Sequence, residues 1–463
     1  MTKTAKNLVV VGTEVAANFI GFLSVAYLGK TLGISNFGLV AFGMAFLSYF
    51  VILSGLGFPA TGAVSLARHR SRWRKITGQV ISMQIIAAIL LFVLYVPTSF
   101  MSAPGDDFYD LMKLYGVGIL LVPLSLHWFF MGFERENMMA LAQLVRQGLY
   151  LGLVLFLVHG PEDICWAPVA FLASIVVPGA ILLSTLLKSG GPKFRPVRIS
   201  ENYALLKRGI PACFSEILLQ LYYSADIIMI GWMRPVHELS LYAGAYTIIT
   251  FLFAIRNQIT RMLLPVLTRK KKEGANFNDI FQQIFFGLSA AALPLAVGGT
   301  FLAGPLIVFV FGEGYLHADV AFGLLVWSAA AALIGIPFTI LCHVEDRQKT
   351  LLRISGSMVG FNLVANLAVI PFFGYIGAAV VTVLSELIQL ILLVSSSRQF
   401  VVLNPLRPLV GPAISCVGMV LFLKWIEGSH VLVSIVGGMA VYTAVLQFDP
   451  STRRLYLLAL GKK

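Results

Sequence analysis

The residues with the most evident chemistry are two arginines inside an apolar run. Arg256 and Arg261 lie in the segment 241–268, and Asn257 and Gln258 make the same helical turn polar. A guanidinium presents paired N–H donors that fit the oxygens of a carboxylate or phosphate. If the run crosses a membrane, a central charge costs roughly 2.5–3.5 kcal/mol unless it meets water or a partner. Arg256, Arg261 and Asn257 therefore indicate an anion-binding cavity; an internal ion pair that fixes this helix to a neighbour is the alternative.

Four carboxylates also fall within apolar runs, and they are candidates for holding a coupling ion. They are Glu14, Glu216, Asp226 and Glu386. Ionisable groups at such positions commonly bind a proton or a cation that drives transport. Hydrogen-bonded packing between helices is the alternative for each of them.

Two of these carboxylates begin polar stripes at helical spacing. Asn18 follows Glu14 by four residues, and Gln220 follows Glu216 by four. Residues at this spacing share one helix face, which must point away from lipid. We therefore count Gln220 among the residues that line a substrate cavity.

The composition requires a lipid environment for these residues. Of the 463 residues, 58% are hydrophobic and 12% are charged, and the mean hydropathy is +0.87. A span needs about 20 apolar residues. We therefore predict an all-α polytopic membrane protein with about 14 transmembrane helices, near residues 7–28, 39–62, 79–96, 111–132, 148–158, 167–187, 210–232, 241–268, 281–302, 319–341, 355–370, 376–394, 409–425 and 431–447.

The charge pattern predicts the orientation of the chain. The formal net charge is +13, and most of the 34 basic residues fall in alternate loops and at the two ends. Cytoplasmic loops carry such an excess of Lys and Arg, so we expect both termini to be cytoplasmic and no nucleic acid to be bound. Arg146 is counted here in an ordinary inside loop, although it also stands at the entry to the span predicted at 148–158. The four cysteines have no metal-like spacing.

The chain also repeats itself. The segments that begin at Gly132 and His343 align through Glu134 and Glu345. We therefore predict two pseudo-symmetric six-helix lobes followed by two C-terminal helices. The predicted boundaries are an N-lobe at 1–190, a cytoplasmic linker at 191–209, a C-lobe at 210–400, and two last spans with a basic tail at 401–463.

Three motifs of this sequence resemble motifs of a known family. "WFFMGFE" at 128–134 resembles the "WFFQGxE" signature of bacterial polysaccharide repeat-unit flippases of the Wzx type, with Met131 in place of Gln. "AYLGKTLGISNFG" at 26–38 is similar to their first outer loop, with Lys30 at a basic position. "NLVANLAVIPFFGYIGAA" at 362–379 resembles their "NxxxN…IP…GxxGAA" passage. The resemblance covers nearly all of residues 1–400 and extends to the MOP superfamily.

The resemblance implies a function and a setting. Such a protein moves an undecaprenyl-pyrophosphate-linked oligosaccharide across the bacterial inner membrane by alternating access, driven by an ion such as H⁺ or Na⁺ or by the membrane potential. Lys30 then becomes a cavity candidate, although a lone lysine at a helix end is also a common interfacial anchor. Membrane lipids, a polysaccharide polymerase and chain-length machinery are the expected partners. A lipid II flippase or a MATE-type exporter is the alternative.

Other classes fit less well. The sequence contains no P-loop, HExxH or Ser-His-Asp pattern, and a membrane-embedded polymerase would need a large outer loop. We therefore expect a transporter, not an enzyme, with no cofactor beyond the coupling ion.

Overall fold

The computed structural model describes residues 3–101, 106–194, 199–274, 277–401, 407–450 and 452, and most of them are helical. The chain folds as two compact units, Met1–Ala243 and Gly244–Lys463. The boundary between them falls inside a helix. The predicted lobes follow the sequence repeat instead, and their boundaries stay a prediction.

The first unit is built from α-helices with three short 3₁₀ turns between them. The helices are α1 (Lys3–Gly55), α2 (Phe58–Arg68), α3 (Trp73–Met101), α4 (Asp106–Leu120), α5 (His127–Gly132), α6 (Glu136–Leu157), α7 (Trp166–Lys188), α8 (Ile199–Met233) and the start of α9 (Val236–Glu273). The 3₁₀ turns are Arg70–Arg72, Val122–Leu124 and Pro161–Cys165. Helix α8 begins within the predicted linker.

The second unit contains the rest of α9 and six further helices. They are α10 (Phe277–Phe301), α11 (Ala303–Phe311), α12 (Asp319–Val344), α13 (Gln348–Ser397), α14 (Arg407–Trp425) and α15 (Val431–Leu446), with a 3₁₀ turn at Glu313–Ala318. The most extensive packing interfaces of this unit join α12 to α13, α10 to α12, and α14 to α15.

Two long helices each supply two spans, because a glycine bends them. Gly33 in α1 has φ 68° and Gly374 in α13 has φ 56°, a left-handed conformation that glycine adopts at low cost. Within the described residues, ten helical segments are long and apolar enough to cross a membrane, a bent pair at 108–132 makes an eleventh, and 431–446 is a shorter apolar helix. With α1 and α13 each counted as two spans, the total agrees with the predicted 14.

Large apolar side chains on the outer surface suit a lipid solvent. Phe156, Phe372, Trp425 and Phe448 are each at least 76% exposed. Contiguous apolar surface of this kind is an aggregation hazard in water, whereas it costs nothing against acyl chains. The exposed apolar surface therefore agrees with a multi-pass membrane protein.

The aromatic motif at 128–134 turns out to be a packing element. Trp128, Phe129 and Phe130 are buried in the core of the first unit. A methyl group on Gly62 of α2 would lie 2.9 Å from the Trp128 ring, and one on Gly132 would lie 2.8 Å from Cβ of Leu66. These glycines let α5 approach α2 closely, so the buried aromatic residues of the motif hold these two helices together.

The turn that follows α5 recurs after α12. Glu134 has φ 58° and Asp346 has φ 53°. The next backbone N–H bonds back five residues in both places, from Arg135 to Phe130 O at 2.9 Å and from Arg347 to Cys342 O at 2.8 Å, which is the Schellman arrangement of a helix end. The repeat is real, but its register pairs Glu134 with Asp346, so the alignment through Glu345 was wrong by one residue.

Each of these turns also forms an ion pair with an earlier part of the chain, the turn at Arg70–Arg72 in one case and the end of α9 in the other. Arg70 Nη2 lies 2.7 Å from Glu134 Oε1, and Lys271 Nζ lies 2.6 Å from Glu345 Oε1. Each pair lies within its own unit and links the end of one helix pair to the start of the next. The Arg70–Glu134 pair is exposed, and such pairs contribute at most about 1 kcal/mol, so it orients its loop more than it stabilises the fold.

Candidate functional site

A polar seam joins α1 and α8 in the first unit. Gln220 Nε2 donates to Ser48 Oγ at 2.8 Å and to Ser224 Oγ at 2.9 Å. The hydroxyl of Tyr49 lies 3.1 Å from Ser224 Oγ. The spacing from Glu216 predicts an inward face for Gln220, and the structure places Gln220 between two helices, partly buried. Its role in substrate binding stays a prediction.

Asp226 lies one turn beyond this seam and is only 3% exposed. Its carboxylate accepts a hydrogen bond from the hydroxyl of Tyr242 and another from the backbone N–H of Ile227 at 2.9 Å. No basic side chain of the described chain forms an ion pair with Asp226. A buried carboxylate with two neutral donors and no cation is expensive to keep ionised, which suits a group that binds a proton or a metal cation during transport.

The turn between α8 and α9 brings Tyr242 over Asp226. Arg234 holds this turn by donating to Glu238, from Nη2 at 2.7 Å and from Nε at 3.0 Å. The hydrogen bond to Glu238 raises the pKa of Arg234 above its ordinary value, so Arg234 stays charged at any physiological pH. Ser240 Oγ also accepts from the backbone N–H of Gly38 at 2.7 Å, which fastens the start of α9 to α1.

The two stripe carboxylates of the sequence analysis are both partly buried. Glu14 lies on α1 ahead of the bend at Gly33, and Asn18 lies one turn further on. Glu216 lies on α8, one turn before Gln220. Their ion-coupling role stays a prediction.

A second buried polar cluster lies where the two halves of α13 face each other. Asn362 Nδ2 lies 3.3 Å from Ser385 Oγ, and Asn366 Nδ2 lies 3.1 Å from Asn362 Oδ1. Glu386 follows Ser385 directly and is 2% exposed. The bend at Gly374 folds the helix back on itself and so brings these side chains together.

This cluster retains unused hydrogen-bonding capacity. Asn366 Oδ1 and Thr382 Oγ1 are buried and have no hydrogen-bond partner among the described residues. An unsatisfied buried polar group costs about 1–3 kcal/mol, and such atoms commonly mark a missing water or ion. Glu386 was a sequence candidate, whereas Asn366 and Thr382 were not, although Asn362 and Asn366 were visible in the "NxxxN" motif.

The arginine turn lies near the middle of α9, in the second unit. Arg256 donates from Nη2 to Asn257 Oδ1 at 3.1 Å and from Nε at 3.3 Å. Its guanidinium carbon lies 5.1 Å from the centre of the Phe253 ring. Arg256 is partly buried, while Asn257 and Arg261 are exposed. The turn is polar as predicted, and its contact with an anion stays a prediction.

The structure agrees with the predicted position of Lys30 but not with that of Arg146. Lys30 is exposed near the end of the first half of α1, which agrees with its predicted place and leaves its role open to test. Arg146 was wrongly assigned to a loop. Because α6 begins at Glu136, Arg146 lies near the middle of that helix.

Comparison with known proteins gives the family. The profile of a family described as "Polysaccharide biosynthesis protein" matches residues 4–271. The chain belongs to this family. The family match confirms the resemblance to polysaccharide flippases that the sequence motifs indicated.

Two relatives are similar over most of their length. A protein of Escherichia coli (strain K12) that is named for O-antigen transport is 22% identical over 399 residues, which cover 82% of this chain and 93% of that protein. The flippase AglR of Haloferax volcanii is 24% identical over 406 residues, which cover 83% of this chain and 81% of that protein.

A solved structure titled "Lipid II flippase MurJ, inward closed conformation" is similar in fold. The TM-score is 0.81 at 14% identity, and the match covers 98% of this chain and 100% of that one. At this identity the likeness establishes the fold and nothing further. The prediction of an all-α, multi-pass transporter fold is confirmed.

Proposed function

We propose that this protein is a flippase for undecaprenyl-pyrophosphate-linked oligosaccharide repeat units. The family match over residues 4–271 carries the proposal. The names of two relatives, one given for O-antigen transport and one for a flippase, support the same role. Moving a substrate across a bilayer requires no bond to be broken, so we propose a transporter without catalytic residues.

The arginine turn of α9 is the proposed contact for the anionic end of the substrate. Asn257 holds two donors of Arg256, which restricts the guanidinium to a narrow range of orientations. A fixed guanidinium fits pyrophosphate oxygens better than a flexible ammonium does. Arg261, one turn further along α9, and Lys30 on α1 are proposed as further basic contacts for the substrate.

Two buried carboxylates, Asp226 and Glu386, are proposed ion-coupling sites, together with the partly buried Glu14 and Glu216. Asp226 lies among Tyr242 and the backbone of Ile227, and Glu386 lies beside the cluster that contains Asn366 and Thr382. Oxygen-rich, water-poor sites of this kind suit H⁺ or Na⁺. Occupation by the ion would neutralise the charge and favour one conformation over another, which is how a cation gradient drives alternating access.

The proposed setting is the bacterial inner membrane, with both termini in the cytoplasm. The excess of basic residues in alternate loops supports this orientation. A polysaccharide polymerase and its chain-length machinery are the proposed downstream partners, because they would use the flipped repeat unit on the outer face.

A second candidate function is the flipping of lipid II. The observation that favours it is the fold similarity to a lipid II flippase over the whole chain. Both substrates carry pyrophosphate on a polyprenyl chain, so the proposed Arg256 contact would serve either. A MATE-type exporter is the remaining alternative within the same superfamily.

Deletion of the gene in its host separates these functions. We expect lipid-linked repeat units to accumulate on the cytoplasmic side and surface polysaccharide to fall, while cell-wall precursors stay at their normal level. Accumulation of lipid II with normal surface polysaccharide would favour the second candidate. Normal levels of both would contradict the proposal.

A further inference from the structure

A cavity of about 130 Å³ lies inside the first unit, within the helices that surround the break in the fourth span. Leu47, Ile175 and Leu182 are typical of its apolar wall, and Arg146 and His127 are its ionisable side chains. A water molecule occupies roughly 30 Å³ in the liquid. The space is therefore sufficient for a small hydrated anion or for the charged end of a larger molecule.

Arg146 is an unusual residue to find at this place. It lies about ten residues, or roughly 15 Å, from the start of α6, near the middle of a helix that is long and apolar enough to cross a membrane. Its guanidinium carbon lies 5.5 Å from the centre of the Phe171 ring, and no carboxylate of the described chain forms an ion pair with it. A positive charge kept at this depth needs water or an anion.

The helix break beside the cavity gives a second, independent observation. The fourth span bends by 43° between 108–120 and 122–132. Leu121, Leu124 and Ser125 from this break line the cavity. Non-helical backbone at membrane depth is tolerated where it is buried in protein or lines a hydrated space, so the break agrees with a polar content of the cavity.

Two buried tyrosines give a third observation. The hydroxyls of Tyr115 and Tyr150 are buried and lack hydrogen-bond partners among the described residues. Both rings pack edge-on against Phe171, with centroids 6.1 Å apart in each case, and Phe171 lines the cavity. The protein therefore buries two polar hydroxyls without partners beside Phe171, one of the residues that form the wall of this cavity.

We propose that this cavity is a binding site for a phosphate group, with Arg146 as the cation that holds it. A guanidinium binds phosphate oxygens in bidentate fashion. The wall of the cavity combines this cation with leucine and isoleucine side chains, which fits a phosphate group attached to an apolar molecule. The phosphate comes either from a lipid headgroup or from soluble phosphate or pyrophosphate. All residues that line the site belong to the first unit, and the proposal does not depend on the proposed flippase function.

The test is a binding measurement on the purified full-length protein in a neutral detergent. Titration calorimetry with inorganic pyrophosphate should show saturable binding to the wild type. Arg146→Gln should weaken it by about tenfold or more, as expected for the loss of a charge-assisted hydrogen bond, and Arg146→Lys should weaken it less. Ala142→Leu, which fills the cavity and leaves Arg146 in place, should also weaken it. Arg135→Gln, an exposed arginine just before α6, should bind as the wild type does.

Mass spectrometry of the intact protein distinguishes the two sources. If the wild type retains an anionic phospholipid that pyrophosphate displaces, and Arg146→Gln lacks that lipid, the phosphate comes from a lipid headgroup. Pyrophosphate binding without a retained lipid would identify a soluble phosphate. The proposal is overturned if the wild type neither binds pyrophosphate nor retains an anionic lipid, or if Arg146→Gln, eluting as a monodisperse protein, binds as tightly as the wild type.

Discussion

Replacement of Arg256 is the most informative perturbation of the proposed substrate site. In Arg256→Lys the charge remains but the paired donors are lost. One hydrogen bond to a charged group is worth about 1.5–3 kcal/mol, so transport at low substrate concentration should fall about 10- to 100-fold. Arg256→Ala removes the charge as well and should reduce transport by about 100-fold or more.

Asn257 provides a finer test of the same geometry. It holds Nε and Nη2 of Arg256 at 3.3 and 3.1 Å, so Asn257→Ala should leave the charge but loosen its orientation. The guanidinium keeps its charge, and water can replace the amide of the exposed Asn257, so we expect a smaller loss of about fivefold, which corresponds to about 1 kcal/mol. Lys272→Ala, at the exposed end of the same helix, is the matched control and should transport normally.

The assay is flipping of the lipid-linked substrate in vesicles, normalised to the amount of inserted protein. Normalisation separates a binding role from a structural one, because a merely structural arginine would lower the yield and leave the activity of each molecule near normal. Full normalised activity in Arg256→Ala would refute the proposed contact.

Further predictions address packing, coupling and topology. Gly57→Ala should destabilise the protein more than Gly191→Ala, by about 1–3 kcal/mol in thermal unfolding. Both glycines have φ near +65°, but only a methyl group on Gly57 would collide with α8. Equal losses of stability would show that the close approach of Gly57 to α8 is unimportant. Glu14→Gln or Glu216→Gln should slow transport in folded, inserted protein. If transport keeps its rate and its response to pH and Na⁺ after both changes, these residues serve only in packing. A reporter fused after Lys271 should be active in the cytoplasm, and a periplasmic signal would reverse the predicted orientation.

Much of the fold could be predicted from hydropathy, because each span must be apolar over its length. The spans, the polar turn at Arg256 and the repeat all follow from residue type and spacing. Arg146 was misplaced for the same reason: polar residues at the start of α6 lowered the local hydropathy, so the apolar window began after it. The breaks near Gly33 and Gly374 fall between spans that hydropathy predicted, but the sequence did not show that a single left-handed glycine makes each of them, since glycine is common in membrane helices.

The contacts within the candidate site could not be predicted. Asp226 was a candidate from its own type, but Tyr242, its partner on the next helix, depends on the turn that Arg234 and Glu238 hold together. Similarly, the pairing of Asn362 with Ser385 depends on how α13 folds back on itself. Such contacts are set by helix packing, which a single sequence does not specify.

The central claim is that this chain moves a lipid-linked oligosaccharide across a bilayer. For the most direct measurement, the purified protein is reconstituted into vesicles that carry a fluorescent polyprenyl-pyrophosphate oligosaccharide on both leaflets. The loss of fluorescence is then followed after an external reagent is added that quenches only the oligosaccharide on the outer leaflet. We expect wild-type protein to expose the inner pool when a cation gradient is imposed, and to flip lipid II much more slowly under the same conditions. Equal and slow exposure of the oligosaccharide in vesicles with and without the protein would contradict the claim.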